Sequence, residues 1–146
     1  MSYTKSSHAT YDCRYHIVWI TKYRKKCLSD ELQSTIKQVL EWVCKELYIH
    51  IIALWMEEDH VHMYIRTPLT KSIPYIVKAL KWRSSSIVWK TKNHRSYLRQ
   101  YYWQSWNALW AVGYFVATVW AVDGEIIKNY VDLQWKEETG DIEITL

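Results

Sequence analysis

Ile49 to Arg66 reads IHIIALWMEEDHVHMYIR, and this stretch decides the fold. The part up to Met56 is nearly continuous in apolar side chains, which predicts a strand. The polar Glu57-Glu58-Asp59 predicts a turn, and residues 60–66 predict a second strand that pairs with the first as a hairpin. Strands joined by so short a turn run antiparallel, so an antiparallel sheet is expected.

The segments before and after this hairpin predict a further strand and two helices. Side chains alternate between two faces over residues 10–21, which predicts a strand. Ser29 is suited to cap a helix that runs to about Tyr48, because apolar residues recur after it at helical spacing. Ser72 is suited to cap a second helix that continues to about Lys90.

The C-terminal third predicts one more strand and one more helix. Residues 91–112 are aromatic and irregular and are not assigned to an element. A strand is predicted over 113–122, and Asp123 is suited to cap a last helix over 124–136. The order β-α-β-β-α-β with a terminal helix predicts an α+β, ferredoxin-like split βαβ fold. Its sheet has four to five antiparallel strands, with two helices on one face and the other face open for a ligand.

Composition describes one folded domain. Of 146 residues, 49% are hydrophobic, so we expect a single domain over 1–146 with loose termini at 1–9 and 137–146. No apolar run is long enough to cross a bilayer, and the N-terminus lacks the apolar block of a secretory signal. We therefore expect a cytoplasmic protein that does not bind membranes. Three cysteines without C-x-x-C spacing favour reduced thiols.

The charge distribution favours a polyanionic partner. The net charge of +4 does so only mildly. In residues 22–26 basic side chains cluster around Tyr23, and residues 78–92 combine five basic side chains with Trp and Ser. That pattern is typical of single-stranded nucleic-acid binding, in which cations contact phosphates and rings stack on bases.

Two pairs of residues are candidates for chemistry. His60 and His62 lie on one strand, and because side chains alternate, both project from the same face roughly 6.5–7 Å apart at Cα. Tyr130 and Gln134 stand four apart on the last predicted helix and share a face of it. The imidazoles can converge on one cation, and an amide oxygen suits Mg²⁺ or Mn²⁺. Each pair also has an ordinary interpretation. The two histidines could be exposed polar residues on a strand, Tyr130 could pack within its helix, and Gln134 could simply face solvent.

Several further segments, in order, extend these pairs into a pattern. They are Tyr15-His16-Ile17-Val18-Trp19, Thr21-Lys22-Tyr23-Arg24-Lys25, Asp59-His60-Val61-His62, Ala79-Leu80-Lys81 with Arg83-Ser84-Ser85, Leu109-Trp110, Tyr114-Phe115-Val116-Ala117-Thr118-Val119 and Tyr130-Val131-Asp132-Leu133-Gln134. With them the chain resembles, over about residues 10–136, the single-tyrosine transposases of small bacterial insertion sequences (the TnpA family of the HUH nuclease superfamily). Several segments in the right order are far more specific than the histidine pair alone.

The resemblance implies an activity and roles for the two pairs. His60, His62 and Gln134 would hold one divalent cation, Mg²⁺ or Mn²⁺, and Tyr130 would be the nucleophile. Attack on single-stranded DNA would leave a 5′-phosphotyrosine and a free 3′-hydroxyl, which another end can use in the reverse step. The resemblance also implies a homodimer in which each Tyr130 helix is able to complete the partner's metal site.

A DNA hairpin near the end of the element is the further partner that the resemblance implies. Its candidate contacts are basic, hydroxyl and aromatic residues of two segments: Lys22, Tyr23, Arg24, Lys81, Arg83, Ser84 and Ser85. The alternative for these charges is a solvated surface.

Three tryptophans stand where the family tends to carry glycine: Trp55, Trp82 and Trp120. If the backbone there requires positive φ or a close approach, an indole is costly. The hypothesis that follows is an altered copy whose stability or DNA docking is impaired while the site residues survive.

Two other functions compete with a transposase. One is a nickase of the replication or relaxase type with the same site, which the short chain disfavours. The other is a non-catalytic single-stranded nucleic-acid-binding domain, in which the open sheet binds and the histidine pair is incidental.

Overall fold

The computed structural model describes residues 3–103, 108–118, 129, 131 and 132. The strands within these residues are β1 (Thr4–Lys5), β2 (Thr10–Tyr11), β3 (Arg14–Ile20), β4 (His50–Met56), β5 (His60–Arg66) and β6 (Phe115–Thr118). A four-stranded antiparallel sheet in the order β4-β5-β3-β6 forms the centre, and a small hairpin, β1-β2, lies outside it. The α+β fold class and the predicted antiparallel sheet are confirmed.

Three helices connect these strands: α1 (Asp30–Glu46), α2 (Ile73–Lys90) and α3 (Lys92–Leu98). The predicted caps are present, since the side chain of Ser29 accepts a hydrogen bond from the Leu32 amide and that of Ser72 accepts one from the Tyr75 amide. The first helix ends at Glu46, two residues before the predicted end. Tyr48 has a left-handed φ of 57°, which no α-helix continues.

The main core lies between the sheet and helices α1 and α2. Alternation along the two central strands sends every second side chain into it. The buried strand members are Ile17, Trp19, Val61, Met63 and Ile65. The opposite sheet face carries His16, His62 and Tyr64, together with a small cluster of Val18, Ile20, Ala111 and Val131 against which Phe115 packs.

Three segments differ from the sequence-based prediction. The strand expected over 10–21 is interrupted at residues 12–13, and its first two residues pair with Thr4 and Lys5, within the segment expected to be loose. Residues 92–98, which the sequence left unassigned, form α3. The strand expected over 113–122 begins at Phe115.

Parts of the C-terminal prediction lie outside the described residues. Residues 119–122 and 137–146 are among them, as is most of the last predicted helix, of which 129, 131 and 132 are described and helical. No helix within the described ranges is long and apolar enough to cross a membrane.

The tryptophans at expected glycine positions do not strain the backbone where the structure describes them. Trp55 lies in β4 and Trp82 in α2, and neither has positive φ. The cost that a positive φ would impose on an indole therefore does not arise at these two positions, and Trp120 lies outside the described residues. Within the described ranges, positive φ occurs at Tyr23, Arg24, Tyr48 and Gly113.

Candidate active site

His60 and His62 lie on β5 and face away from the helix-side core. Val61, between them, is fully buried in that core, as the strand alternation predicts. His62 is only 3% exposed, and His60 is partly buried. The pair therefore sits on the open sheet face, with His62 deeper than a simple surface histidine.

One ring nitrogen of each histidine is engaged by a neighbouring side chain. His60 Nδ1 lies 2.8 Å from Asp59 Oδ1, and because a carboxylate accepts, the imidazole donates. His62 Nε2 lies 3.0 Å from Nδ1 of His16 on β3. Among the described residues no hydrogen bond engages His60 Nε2 or His62 Nδ1. These two nitrogens are the ones that a cation would take, and the other two hold the rings in orientation, as is usual around metals.

Trp55 covers the ring of His62. The two residues are cross-strand partners, and their ring centroids are 3.7 Å apart. Burial, with smaller contributions from His16 and His60, lowers the pKa of His62 to about 4, and burial also lowers the pKa of His16. Both imidazoles are therefore neutral at pH 7, which is the metal-binding form.

Arg24 connects Asp59 to the C-terminal segment. Its Nε donates to Asp59 Oδ2 at 2.9 Å, and its Nη1 donates to Asp132 Oδ1 at 2.6 Å. Burial acts to raise the pKa of Asp59, but hydrogen bonds from His60 and Arg24 and the charges of both outweigh it, so the pKa is lowered. The carboxylate is thus ionised and accepts from His60 and Arg24 together.

The predicted nucleophile and third ligand, Tyr130 and Gln134, lie outside the described residues. The neighbours of Tyr130 on its C-terminal side are anchored: Val131 is 3% exposed, in the cluster on the open sheet face, and Asp132 binds Arg24. Within residues 3–103, 108–118, 129, 131 and 132, no group of three His, Cys, Asp or Glu is arranged to hold a metal ion. Of the three predicted ligands, only His60 and His62 lie among the described residues.

A groove of about 640 Å³ joins the two segments that were predicted to contact DNA. Lys22 lines it from the turn after β3, while Lys81 and Ser85 line it from α2. The Lys81 ammonium donates to the carbonyls of Ala111 and Gly113, at 2.6 and 2.8 Å, and so fixes the loop that forms the far wall. Trp82, 68% exposed, adds a large aromatic surface at the rim.

Other predicted DNA contacts have partners within the protein. Ser84 is fully buried, accepts from the Trp110 indole at 2.9 Å and donates to the Leu80 carbonyl, which is a packing role. Arg83 pairs with Glu46 at 2.8 Å and lies over the ring of Trp42. Tyr23 is 39% exposed, with the Lys22 ammonium 5.4 Å from its ring centroid.

Comparison with known proteins identifies the family. The sequence profile described as Transposase IS200 like matches residues 9–134. The chain belongs to the IS200-like transposase family.

Individual relatives agree with this assignment. The chain is 27% identical over 128 residues to the ISDra2 transposase TnpA of Deinococcus radiodurans, with 88% of each chain covered. It is 25% identical over 132 residues to the transposase for insertion sequence element IS200 of Salmonella typhimurium, covering 90% of this chain and 83% of that one.

Two solved structures share the fold. A crystal structure from Deinococcus radiodurans R1, assigned there to a transposase, superposes with a TM-score of 0.79 at 30% identity over 90% of this chain and 97% of that one. The REP-associated tyrosine transposase bound to a REP hairpin superposes with a TM-score of 0.53 at 12% identity over 94% and 74%. Membership of a transposase family implies DNA cleavage and strand transfer in general.

Sequence reasoning missed the supporting roles of two residues in this family member. No role was predicted for His16, although alternation along its strand places it on the face opposite Ile17 and Trp19. Arg24 was interpreted only as a DNA contact. The available signal for His16 was that it projects from the same sheet face as His62 once their two strands pair. No sequence signal indicated that Arg24 bridges two carboxylates.

Proposed function

We propose that this transposase cleaves and rejoins single-stranded DNA through Tyr130, with a divalent cation held by His60, His62 and Gln134. The observation that carries the proposal is that His60 and His62 lie on one sheet face, each held through one ring nitrogen by Asp59 or His16, and that burial lowers the pKa of His62 to about 4. A pair of incidental surface histidines has no need of such support.

The donor chemistry fits Mg²⁺ or Mn²⁺, although two imidazoles alone make an incomplete set. Gln134 would add a carbonyl oxygen, which both ions accept. When bound, the cation withdraws charge from a non-bridging phosphate oxygen. The contribution of the protein is to hold both rings in the tautomer that offers a lone pair toward the site, His60 through Asp59 and His62 through His16.

The reaction exchanges one phosphodiester for another. The Tyr130 hydroxyl loses its proton and attacks phosphorus, forming a bond from the phenol oxygen to the 5′-phosphate. The bond from phosphorus to the 3′-oxygen breaks, and that oxygen takes up a proton to become a free 3′-hydroxyl. Because the phosphotyrosine keeps the energy of the original ester, a second 3′-hydroxyl reverses the step at new ends without ATP.

Support for the position of the nucleophile comes from its neighbours. Val131 is buried on the face that carries His62, and Asp132 is joined through Arg24 and Asp59 to His60. Excision requires two cleavages, and one tyrosine per chain makes one at a time. We therefore propose a homodimer as the active form.

The groove lined by Lys22, Lys81 and Ser85 is the proposed DNA-facing surface. Lysines along a groove that carries an exposed indole suit a backbone whose bases stack on aromatic rings. The solved relative bound to a REP hairpin supports a hairpin as the DNA form that this family member recognises.

A covalent-adduct assay tests the proposal. Protein, Mg²⁺ and labelled single strands that carry candidate hairpins are incubated and resolved under denaturing conditions. The wild type is expected to give a labelled protein band that Tyr130→Phe abolishes. Tyr48→Phe, an 85% exposed tyrosine at the end of α1, is the matched control and should keep the band.

The competing functions give different results. Binding of the strands with no adduct in Mg²⁺ or Mn²⁺ would favour a non-catalytic binding domain. An adduct with cleavage but no joining of a second 3′-hydroxyl end would favour a nickase.

A further inference from the structure

We propose that Arg24 is the positioning residue of this site: it ties Asp132 on the C-terminal segment to Asp59, and through Asp59 it fixes the His60 ring for the cation. This inference rests on the proposed function, because it concerns how the same site is assembled. It assigns to Arg24 a role in the protein rather than on DNA.

The contacts form one continuous chain. Asp132 binds Nη1 of Arg24 at 2.6 Å, Arg24 Nε binds Asp59 Oδ2 at 2.9 Å, and Asp59 Oδ1 binds His60 Nδ1 at 2.8 Å. Each link is a hydrogen bond to a carboxylate, and two of them come from a guanidinium whose planar donors fix the direction of both acceptors. Displacing Asp132 would thus remove one of the two restraints on the Arg24 fork.

Because Asp59 is buried, leaving its carboxylate without hydrogen-bond partners would be costly. The side chain of Asp59 is 10% exposed, whereas that of Asp132 is 41% exposed. An ionised carboxylate at so buried a position requires its partners, because removing one leaves a charge poorly solvated. Arg24 and His60 are therefore obligatory neighbours of Asp59, and the Asp132 contact is the one that can open.

The backbone around Arg24 is strained in a way that aims this side chain. Tyr23 and Arg24 have φ angles of 56° and 50°, in the left-handed region that residues with a Cβ generally avoid. Surrounding hydrogen bonds hold the turn: Lys22 N–H donates to the Leu109 carbonyl, and buried Thr21 donates from its amide to the Asp59 carbonyl. A solvent-facing DNA contact would not require so constrained a turn.

The consequence is a coupling between the two halves of the site. When the C-terminal segment is docked, Asp132 and Val131 are anchored and Arg24 is held against Asp59. When it leaves, Arg24 loses one of its two carboxylate partners and His60 loses part of its support. Cation affinity and segment docking should therefore change together when Arg24 is altered.

The test uses the 146-residue chain and four variants of it. Asp132→Asn removes the negative charge of the outer contact, and Arg24→Gln removes the guanidinium that makes both contacts, with Arg24→Lys as a second variant should Arg24→Gln not fold. Glu46→Gln is the matched control, because it breaks an arginine–carboxylate pair of 2.8 Å whose side-chain exposures, 33% and 40%, resemble the 30% and 41% of Arg24 and Asp132.

Two readouts do not depend on catalysis. Hydrogen–deuterium exchange is followed on the peptide that contains residues 129–132, and Mn²⁺ affinity is measured with the metal alone. Asp132→Asn should speed exchange at least tenfold in that peptide and weaken Mn²⁺ a few-fold. Arg24→Gln should speed exchange in that peptide to the same extent and should lower the affinity for Mn²⁺ by about 10- to 100-fold, which is the usual effect of losing the hydrogen-bond partner behind a metal-binding histidine. Glu46→Gln should do neither.

The outcomes separate this inference from the proposed function. Wild-type exchange and wild-type Mn²⁺ affinity in Arg24→Gln, or in Arg24→Lys if that is the variant that folds, would overturn the positioning role even if the Tyr130 adduct forms normally. An equal change in Glu46→Gln would overturn it as well, because the effect would then be general destabilisation. If both readouts respond as expected while the wild type forms no adduct on any strand, the coupling stands and the strand-transfer proposal fails.

Discussion

Acidifying the metal-free protein from pH 7 to pH 5 is expected to lower its free energy of unfolding by about 2 kcal/mol through His62. In the folded state, burial and the neighbouring His16 and His60 lower the pKa of His62 to about 4, from an ordinary value of 6.5. The unfolded chain therefore binds the proton first as the pH falls. Stability decreases from about pH 6.5 downward, and this contribution levels off below about pH 4.

The magnitude follows from the separation of the two pKa values. At pH 7 both forms are largely unprotonated, and the difference amounts to about 0.2 kcal/mol; at pH 5 the unfolded form is almost fully protonated, and the difference is about 2 kcal/mol. The burial of His62, at 3% exposure, means that solvent screening does not erase the effect. His16, whose pKa burial also lowers, adds in the same direction.

The assay is denaturant unfolding in EDTA, followed by tryptophan fluorescence at several pH values between 7 and 5. His62→Gln should reduce the loss of stability over this interval by about 2 kcal/mol, whatever its stability at pH 7. His50→Gln, which alters an exposed histidine of β4, is the control and should keep the wild-type dependence. The same loss in His62→Gln as in the wild type would refute the burial argument.

Three further predictions concern packing around the site and the core. Trp55→Ala should raise the pKa of His62 toward its ordinary value, because it removes the indole whose ring centroid lies 3.7 Å from that of the imidazole. NMR titration of the histidine side chains measures this pKa, and an unchanged value would contradict the covering role of Trp55. Ser84→Ala should lower the free energy of unfolding by about 1–3 kcal/mol, because it leaves the Trp110 indole N–H without its acceptor, whereas Ser86→Ala should change it by less than about 0.5 kcal/mol. Cys27 and Cys44 should react with Ellman's reagent only after denaturation, because burial raises their pKa to about 11 and about 12; more than one fast thiol in the native protein would contradict this.

The alternation of side chains was enough to predict much of the sheet. It placed Val61 in the core and His60 and His62 on the opposite face, and the structure confirms both. Helix capping by Ser29 and Ser72 was also predictable from the sequence, because a cap depends on residues only a few positions apart. Helix α3 was not predicted, because its seven residues carry no apolar periodicity and only Leu98 is buried.

Contacts between distant segments could not be predicted in the same way. Arg24 and Asp132 are 108 residues apart in sequence, and nothing in either segment indicates the other as its partner. The contact that Trp55 makes was not predictable from the sequence either. The sequence raised strain at this position only on the condition that the backbone requires positive φ, whereas the structure shows a strand residue without positive φ whose indole packs on His62 across the hairpin.

The sequence by itself determined the order of the four sheet strands and of helices α1 and α2, the face on which the histidine pair lies, and the resemblance to a transposase family that the profile match bears out. These properties depend on local periodicity and on short motifs. Only the tertiary structure decided that His16 orients His62, that Ser84 is buried, and that Arg24 binds two carboxylates. Such contacts depend on which strands pair and how the chain returns to the sheet, and local sequence does not encode those distances.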